Sequence, residues 1–405
     1  KQLDPAVVDE LLNVDKNRRD AQVEVDAIRQ RSNEHNTLVK KSVSEGNKPS
    51  ISEIETGKKI KEELKLVEPR LKELEDSYQS LMFQIPNVPA DVVPIGADES
   101  GNVVVKKVGQ PKLFDFDPAP HDQIMENLNL IDVSRAVRIG GFRSYFLKNE
   151  AVMLEQALLN FALQKLIQYG FTPMTAPILI NDEAMWGTGY FPWGKEDHYR
   201  TQDNQSLAGT SEVALTAFHM GETLTEADLP IKLAGISPCF RREVGSYGKD
   251  TKGVIRVHQF MKVEQVVYTV ADETETQAWH EKMLGFAEEM LQELELPYQV
   301  LLMCTGDMGA GQRKKYDVET WFPSQKAYRE THSASYFNDF QSRRLGIKYK
   351  AKDGTLKHVY TLNNTMAASP RLLAAVIENY QAKDGSVTVP EVLQPFLNLK
   401  VISRK

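Results

Sequence analysis

The sequence predicts an α+β protein, with a long antiparallel helical hairpin (a coiled coil) at the N-terminus and a larger domain of strands and helices after it. Through residues 1–85, apolar side chains recur in alternating steps of four and three, which is the spacing of a heptad seam. A Gly/Pro-containing turn at 44–50 interrupts this seam. Beyond residue 100, alternating strands and amphipathic helices take over. The length of 405 residues suggests two or three domains.

The apolar seam of the hairpin is clearest in the second helix. It runs through Ile60, Leu64, Val67, Leu71, Leu74, Tyr78, Leu81 and Ile85. Ser50 followed by Glu53 predicts a capping box at the start of this helix, and Pro69 predicts a kink near residues 65–69. Heptads most often indicate a dimerising coiled coil or a spacer, and the alternative is an arm that reaches a distant partner.

Composition excludes several classes of protein. Hydrophobic residues make up 41% and charged residues 26%, which is typical of a soluble globular chain, and no apolar run approaches the ~20 residues that span a bilayer. We therefore expect no membrane partner. The net charge of −7 excludes a broadly basic surface, so contact with nucleic acid would need local patches.

The cysteine content and the start of the chain bear on metals and location. The two cysteines, Cys239 and Cys304, form no C-x-x-C pair, so we expect no zinc site and no disulfide framework. No signal-peptide core opens the sequence, although Lys1 need not be the native start. These observations predict a cytoplasmic protein in a reducing compartment.

The stretch from 235 to 265 reads as a strand, a Gly- and Lys-rich loop and a second strand. One face of the second strand is apolar, through Ile255, Val257, Met261 and Val263. The other face carries Arg256, His258, Phe260, Lys262 and Glu264. Arginine suits phosphate and phenylalanine suits a stacked base. On spacing alone, a surface hairpin with solvated charges explains the pattern at least as well.

Further segments contribute weaker signals. Residues 135–147 alternate as a strand, and 171–180 form a strand whose two prolines confine it to a sheet edge. The Thr-Ser-Glu run at 210–212 is, by itself, typical of a helix N-cap. Ser369 and Pro370 predict the N-cap and first residue of a helix, which places Arg371 in its first turn.

Two strings make the pattern specific. F-R-x-E, a loop, and then (I/V)-R-x-H-Q-F-x-K-V-E resembles motif 2 of the class II aminoacyl-tRNA synthetases, in the form found in seryl-tRNA synthetases. Y-R-E-x-x-S-x-S followed by D-F-Q-x-R-R resembles the same family. By this resemblance, motif 1 lies at about 171–192, motif 2 at about 235–265 and motif 3 at about 360–381.

The resemblance implies a domain organisation and an activity. Residues 1–90 would be a tRNA-binding helical arm, and 91–405 a catalytic domain built on an antiparallel sheet flanked by helices. The protein would be a bacterial-type enzyme that activates L-serine with ATP and Mg²⁺ and transfers serine to tRNA(Ser). Motif 1 implies a homodimer. Whether tRNA(Sec) is also serylated stays open.

The resemblance also implies roles for individual residues. The expected catalytic residues are Arg241, Glu330 and Arg371. The expected ATP site comprises Arg241, Arg242, Glu243, Arg256, Val257, Phe260, Glu330, Thr331, His332, Ser333 and Arg371. The expected serine site comprises Thr210, Ser211, Glu212, Arg241, Glu264, Asn363 and Thr365. Glu330 and Ser333 would hold the Mg²⁺ that accompanies ATP, since hard oxygen ligands plus substrate phosphates suit this ion.

Three alternatives accompany this interpretation. A non-catalytic or catalytically altered synthetase-like paralogue should have lost motif charges, and none is lost here. An amino-acid:carrier-protein ligase of the same fold should lack the long arm, which this sequence has. A coiled-coil scaffold does not explain the motifs after residue 135. The sequence departs from the family pattern at Tyr336-Phe337 and at Pro370.

Overall fold

The computed structural model describes residues 3–245 and 253–404, and the chain divides after Pro86 into two units. The first unit consists of two helices, α1 (Pro5–Ser44) and α2 (Ile51–Gln84). The second unit begins at Asn87 and contains a large sheet with flanking helices. The predicted α+β class is therefore confirmed.

The hairpin is held together by a narrow apolar seam. Ala21, Val25 and Leu71 are buried at its centre, with further apolar side chains of α2 packed around them. The capping box of Ser50 and Glu53 that the sequence predicts is present at the start of α2. Helix α2 continues through Pro69 without a break in the helical assignment. A seam this narrow leaves most of both helices exposed to solvent.

The second unit is organised on an eight-stranded sheet. The strands of the whole second unit, in chain order, are β1 (Val103–Val108), β2 (Ile131–Asp132), β3 (Phe146–Leu147), β4 (Thr172–Thr175), β5 (Leu179–Ile180), β6 (Ser206–Leu207), β7 (Thr223–Thr225), β8 (Ile231–Phe240), β9 (Gln259–Thr269), β10 (Tyr298–Leu302), β11 (Lys314–Phe322), β12 (Ala327–Asn338), β13 (Lys348–Lys350), β14 (Leu356–His358), β15 (Tyr360–Ala368), β16 (Val387–Thr388) and β17 (Val401–Ile402). The large sheet has the order β1-β10-β11-β12-β15-β9-β8-β4, and its neighbours are antiparallel except for the parallel pair β4 and β8.

Helices cover one face of this sheet. The helices of the unit are α3 (His121–Asn127), α4 (Val133–Gly140), α5 (Glu150–Gln168), α6 (Asp182–Thr188), α7 (Glu212–Thr216), α8 (Glu273–Glu293), α9 (Phe340–Leu345), α10 (Ser369–Asn379) and α11 (Gln394–Leu397). Helices α5, α8 and α10 pack on the sheet and share its main core, to which Leu158, Met283 and Leu373 contribute fully buried side chains. In the described ranges, no helix combines the length and apolarity needed to cross a bilayer.

Four elements differ from the sequence predictions. The single strand predicted at 171–180 is divided into β4 and β5, which belong to different sheets. The strand predicted at 135–147 is wrong, because Asp132 accepts a hydrogen bond from the Arg135 N–H and starts helix α4, which leaves only β3 as strand. The second strand of the 235–265 stretch begins at Gln259, although the apolar alternation extends upstream. Ala368 occupies the N-cap position of helix α10 and makes no side-chain capping hydrogen bond, so Ser369 is the first residue of the helix. The Ser369 hydroxyl accepts from the Met261 N–H instead.

Candidate active site

One cavity gathers most of the site residues that the sequence predicts. It is lined by Glu212, Arg241, Glu243, Val257, Phe260, Glu264, Glu330, Thr331, His332, Ser333, Asn363, Thr365 and Arg371. Arg256 lines an adjoining cavity together with Glu330 and Arg371. Thr210, Ser211 and Arg242 lie outside both linings and are described below. The residues come from the start of α7, the β8–β9 connection, β9, β12, β15 and the start of α10.

Strand β9 supplies three polar or aromatic side chains to the cavity. Phe260, Lys262 and Glu264 alternate along it and face the same way, as the period of two predicts. Opposite Glu264, strand β8 has Gly235. A Cβ atom at Gly235 would lie 2.8 Å from the Ser211 Oγ, so glycine allows the segment that carries Ser211 to approach the sheet.

A bulge in β12 brings Glu330 and Ser333 to the same cavity. Val318 of β11 pairs with His332, whereas the next residue, Glu319, pairs with Glu330, so Thr331 is an extra residue. Residues three apart on a regular strand face opposite sides of a sheet. The extra residue reverses this relation, and both oxygen-bearing side chains therefore line the cavity.

Arg241 and Arg242 take different directions at the end of β8. The Arg241 Nε donates to the Gly209 carbonyl at 3.3 Å, and its guanidinium carbon lies 5.4 Å from the centre of the Phe260 ring. The Arg242 Nη1 donates to the Glu196 carbonyl at 2.9 Å, away from the cavity lining. Adjacent arginines in the sequence therefore have different surroundings.

Arg371 and Glu330 form an ion pair at one end of the cavity, which we name the Arg371 end. The Arg371 Nη1 donates to the Glu330 Oε2 and to the Glu330 carbonyl, both at 2.9 Å, and its Nε donates to the Ile255 carbonyl at 3.1 Å. Desolvation would raise the pKa of Glu330, but Arg371 and Lys315 outweigh it and hold the pKa at about 2. Glu330 is therefore a permanent anion.

Glu243 links three segments beside the Arg371 end. Its Oε2 lies 2.7 Å from the Arg256 Nη1 and 3.7 Å from the Nη1 of Arg143, which lies in the connection after α4. The backbone of Glu243 has φ of 56°, a left-handed conformation that non-glycine residues rarely adopt. Arg143 carried no signal in the sequence, because no pattern connects the residues after α4 to motif 2.

At the other end of the cavity, which we name the Glu264 end, an ion pair is fully enclosed. The ammonium of Lys262 contacts the Glu264 Oε2 and lies 3.2 Å from the Thr210 Oγ1, which donates to Glu264 at 3.4 Å. Glu264 is 1% exposed. Burial raises the pKa of Glu264, and Lys262 opposes this rise.

A second carboxylate, Glu212, belongs to the Glu264 end. The Tyr190 hydroxyl donates to one Glu212 oxygen at 2.8 Å, and the Gln341 amide donates to the other at 3.3 Å. Gln341 is itself fixed, since its carbonyl accepts from the Thr361 hydroxyl at 2.6 Å. Burial and the negative charge of Glu264 raise the pKa of Glu212 to about 7. The sequence analysis missed Tyr190 and the role of Gln341, because neither residue lies near Glu212 in the chain.

Strand β15 completes the Glu264 end. Thr365 is paired in register with Glu264 across β15 and β9. Asn363 is 5% exposed, and its Nδ2 has no hydrogen-bond partner within the described residues. Buried amide groups are normally satisfied, so an unsatisfied donor in a cavity wall indicates a place for a polar ligand.

Three of the predicted site residues make structural hydrogen bonds. The Ser211 hydroxyl donates to the Gly235 carbonyl at 3.5 Å, and the hydroxyls of Thr331 and Thr320 are 2.7 Å apart. The His332 Nε2 donates to the Met366 carbonyl at 3.1 Å. Because burial lowers the pKa of His332 to about 4, this histidine is neutral at physiological pH. These side chains join neighbouring strands and loops.

The donor set at the Arg371 end fits a magnesium ion that arrives with a phosphate ligand. Glu330 offers a carboxylate and Ser333 a hydroxyl, which are hard oxygen donors on one cavity wall. Within 3–245 and 253–404, no cluster of three or more His, Cys, Asp or Glu side chains could enclose a metal ion. Mg²⁺ commonly takes one or two carboxylates and completes its shell with water and substrate phosphates.

The chain matches known proteins over almost its whole length. A profile described as the tRNA synthetase class II core domain (G, H, P, S and T) matches residues 196–380, and one described as the seryl-tRNA synthetase N-terminal domain matches residues 1–89. A serine–tRNA ligase of Deinococcus radiodurans is 44% identical over 391 residues, which cover 96% of this chain and 91% of that protein.

Solved structures agree with these sequence matches. The seryl-tRNA synthetase of Pyrococcus horikoshii, crystallised with ATP, has a TM-score of 0.88 and 36% identity, covering 98% of this chain and 93% of that one. The cytoplasmic serine–tRNA ligase of Naegleria fowleri, crystallised with AMP, has a TM-score of 0.86 and 32% identity, covering 99% and 93%. Fold, site and sequence together place this chain in the seryl-tRNA synthetase family of class II aminoacyl-tRNA synthetases.

Proposed function

We propose that the protein activates L-serine with ATP, releases pyrophosphate, and transfers serine from seryl-adenylate to tRNA(Ser). One observation carries the proposal. Arg241 lines a single cavity and interacts electrostatically with Glu330 at the Arg371 end and with Tyr190 and Glu264 at the Glu264 end. A cation between a polyphosphate site and an amino-acid site suits the joining of a carboxylate to a phosphate.

ATP would occupy the Arg371 end. Phe260 and Arg371 would lie on the two faces of the adenine, and Glu243 would accept from its amino group. Arg241 would bind the α-phosphate, and Arg256 would reach the outer phosphates. Val257, Thr331 and His332 contribute to the cavity wall, whereas the hydrogen bond of Arg242 to the Glu196 carbonyl directs its guanidinium elsewhere.

Glu330 and Ser333 would hold Mg²⁺ together with the phosphates of ATP. The low pKa of Glu330 keeps its carboxylate ionised throughout the physiological range. When bound, Mg²⁺ would supply positive charge that offsets the negative charge of the departing pyrophosphate.

Serine would occupy the Glu264 end. Glu264 and Thr210 would bind the ammonium group, Arg241 would bind the carboxylate, and Asn363 and Thr365 would contact the hydroxyl. A site that hydrogen-bonds a substrate hydroxyl leaves buried polar groups unpaired when alanine binds, which disfavours alanine by about 10⁴-fold or more. The unsatisfied Asn363 Nδ2 is such a group.

The chemistry then requires little from the protein beyond position and charge. The serine carboxylate attacks the α-phosphorus, a new oxygen–phosphorus bond forms, and pyrophosphate leaves. Arg241 would hold both reacting groups and stabilise the negative charge that develops between them. The seryl group subsequently passes from the adenylate to the terminal adenosine of the tRNA, and AMP leaves.

The hairpin would bind the tRNA through its tip. Residues 40–61 contain six exposed lysines and three glutamates, so this part of an acidic chain is locally basic. Replacing Lys58 and Lys59 by glutamate should lower kcat/KM for tRNA charging about tenfold or more and leave serine-dependent exchange unchanged. Lys72→Glu, farther along α2, is the matched control. Equal losses in charging and exchange would assign the tip a structural role.

We also propose a homodimer in the cytoplasm. Five side chains of the 137–153 segment are large, apolar and more than 40% exposed: Val137, Ile139, Phe142, Phe146 and Met153. Strand β4, in the predicted motif 1, is the last strand of the large sheet, and its outer edge has no partner strand in the described ranges. A second copy could cover both surfaces. The free cysteines, Cys239 and Cys304, suit a reducing compartment.

Amino-acid-dependent ATP–pyrophosphate exchange with all twenty amino acids tests the proposal. We expect exchange with serine alone, followed by charging of tRNA(Ser); a parallel assay with tRNA(Sec) tests the wider substrate range. Exchange with another small amino acid would favour a carrier-protein ligase or altered specificity. A folded protein that binds ATP or RNA without exchange would favour a non-catalytic paralogue.

A further inference from the structure

His121, the first residue of α3, makes three hydrogen bonds although only 3% of its surface is exposed. Its Nδ1 and its backbone N–H contact the Glu378 Oε1 of α10 at 2.8 and 3.0 Å. Its Nε2 accepts from the Val254 N–H at 3.3 Å. Glu378 is fully buried, and its other oxygen accepts from the Ser324 N–H at 3.1 Å. The histidine thus connects α10 to the segment that enters β9.

The hydrogen bonds fix the tautomer of this histidine. A backbone N–H can only donate, so the Nε2 of His121 must be the unprotonated, accepting nitrogen. The Nδ1 therefore carries the proton and donates a hydrogen bond to the Glu378 carboxylate. Because each ring nitrogen makes a different hydrogen bond, a substitution can remove one of these bonds and keep the other.

The residues that follow Val254 form part of the ATP cavity. Ile255 and Val257 line it, and Arg256 lines the adjoining one. Helix α10 holds this strip at two points: Arg371 donates to the Ile255 carbonyl at 3.1 Å, and Glu378 acts through His121 on Val254. Arg371 and Glu378 are seven residues apart, which is two helical turns on one side of α10.

We propose that His121 is a positioning residue of the nucleotide site, which transmits the position of α10 through Glu378 to the Val254–Val257 strip against which ATP binds. This inference rests on the proposed function only in that ATP occupies the Arg371 end. His121 does not line the cavity, so it acts through the strip and not on the substrate.

Two substitutions separate the two hydrogen bonds of the ring. His121→Asn places an amide N–H near the position of Nδ1, so it keeps the bond to Glu378 and loses the acceptor for Val254. His121→Gln places an amide oxygen near the position of Nε2, so it keeps the acceptor and leaves the buried Glu378 with one donor fewer. The first variant loosens the strip, and the second weakens the fold around a buried carboxylate.

The experiment compares ATP affinity with thermal stability. ATP binding is measured by calorimetry, KM values for ATP and serine by pyrophosphate exchange, and unfolding by thermal denaturation. We expect His121→Asn to weaken ATP binding about five- to tenfold with serine KM unchanged, and His121→Gln to bind ATP nearly as the wild type does. We expect the melting temperature to fall more in His121→Gln. His121→Asn should therefore show the larger loss of ATP affinity, and His121→Gln the larger loss of melting temperature.

A third variant disrupts the contact between His121 and Val254 by a substitution in the chain segment next to Val254. A Cβ atom at Gly253, whose φ is 69°, would lie 2.0 Å from the His121 Nε2, so Gly253→Ala should also weaken ATP binding. In the His121→Asn background it should add little, since the contact is already lost. Gly285→Ala is the control, because a Cβ there would meet open space.

Two results would overturn the inference: wild-type ATP affinity in His121→Asn, or ATP affinity that follows melting temperature across both histidine variants. Failure of the proposed function is distinguishable from both. It would appear as absent serine-dependent exchange in the wild-type protein, while calorimetry still measures ATP binding in every variant.

Discussion

Glu330 at the Arg371 end and Glu212 at the Glu264 end belong to one cavity, yet their surroundings move their pKa values in opposite directions. Arg371 and Lys315 overcome desolvation and keep the pKa of Glu330 at about 2. Burial and the neighbouring Glu264 raise the pKa of Glu212 to about 7, although Tyr190 and Gln341 donate to it. Glu330 therefore keeps its charge throughout the physiological range, whereas the charge of Glu212 depends on what occupies the cavity.

The difference follows from the positive charges that lie near the carboxylates at each end. At the Arg371 end, guanidinium groups supply permanent positive charge, which suits a polyanion and its metal ion. At the Glu264 end, two carboxylates share one buried ammonium, that of Lys262. A substrate ammonium supplies the missing positive charge, so serine binding and ionisation of Glu212 should be coupled.

The largest expected effect comes from the residue between the two ends. Arg241→Ala removes charge from both reacting groups, and serine-dependent exchange should fall about 10²–10³-fold or more. The neighbouring Arg242→Ala is the matched control and should lose less than about fivefold, since its guanidinium binds the Glu196 carbonyl. Similar losses in both variants would contradict the placement of Arg241 between the two ends.

Replacing one carboxylate at each end by an amide should affect the nucleotide site and the serine site separately. Glu330→Gln should raise the Mg²⁺ concentration for half-maximal exchange about tenfold and leave the KM for serine nearly unchanged. Glu264→Gln should raise the KM for serine about 10²-fold, because a buried charged hydrogen bond to the ammonium is lost. Titrations of serine, ATP and Mg²⁺ measure the effects. If each variant weakened both substrates equally, the ends would not act independently.

The pH dependence should differ between the two substrates. Serine kcat/KM should rise as pH increases from 6, with a midpoint near pH 7, and level off about one pH unit above that midpoint, as Glu212 ionises. The KM for ATP should lack a step from Glu330, whose pKa is about 2. Exchange rates at fixed free Mg²⁺ measure both profiles. A serine profile that is flat between pH 6 and 8 would remove Glu212 from the amino-acid site.

The same carboxyl group gives a prediction for stability. Folded Glu212 holds its proton up to a pH of about 7, whereas its ordinary pKa is 4.5. The folded state therefore binds more protons in this window, and its free energy of unfolding falls as pH rises from 4.5 to 7. Glu212→Gln should reduce this decline in denaturant titrations. An identical pH slope in the variant would contradict the raised pKa.

The smallest effect should come from the hydroxyl of Tyr190. Tyr190→Phe removes one donor from Glu212, which favours the protonated carboxyl and should lower serine kcat/KM about threefold at pH 7. The midpoint of the serine pH profile should also move upward. Tyr316→Phe is the control, since that hydroxyl binds Glu281 of α8. A lower rate without a shifted midpoint would mean that Tyr190 contributes only packing.

The sequence predicts features that depend on local repetition. Heptads and a turn are enough to predict α1 and α2, and the alternation of Phe260, Lys262 and Glu264 predicts which side chains of β9 share a face. Resemblance to a family adds the identity of Arg241, Glu330 and Arg371, whose motifs lie far apart in the chain. The structure then brings these residues to one cavity.

Other features depend on tertiary contacts that no local pattern reveals. The bulge at Thr331 inserts one residue without changing the apolar pattern, so the strand period alone does not predict the shared orientation of Glu330 and Ser333, which only the family resemblance implies. Tyr190 and Gln341 meet Glu212 from distant segments. Likewise, R-A-V-R-I has spacing compatible with strand or helix, and the Asp132 cap decides in favour of helix α4.

Lys262 has a consequence for the salt dependence of the reaction. Its ammonium rests against Glu264 and Thr210, the groups proposed to receive the ammonium of serine. Serine therefore brings a second ammonium beside that of Lys262 inside a screened cavity, and the approaching amino acid is a zwitterion with no net charge. Long-range attraction contributes little to the approach of such a ligand, so the affinity for serine should change little with ionic strength. Binding of tRNA, by contrast, should weaken steeply as salt increases.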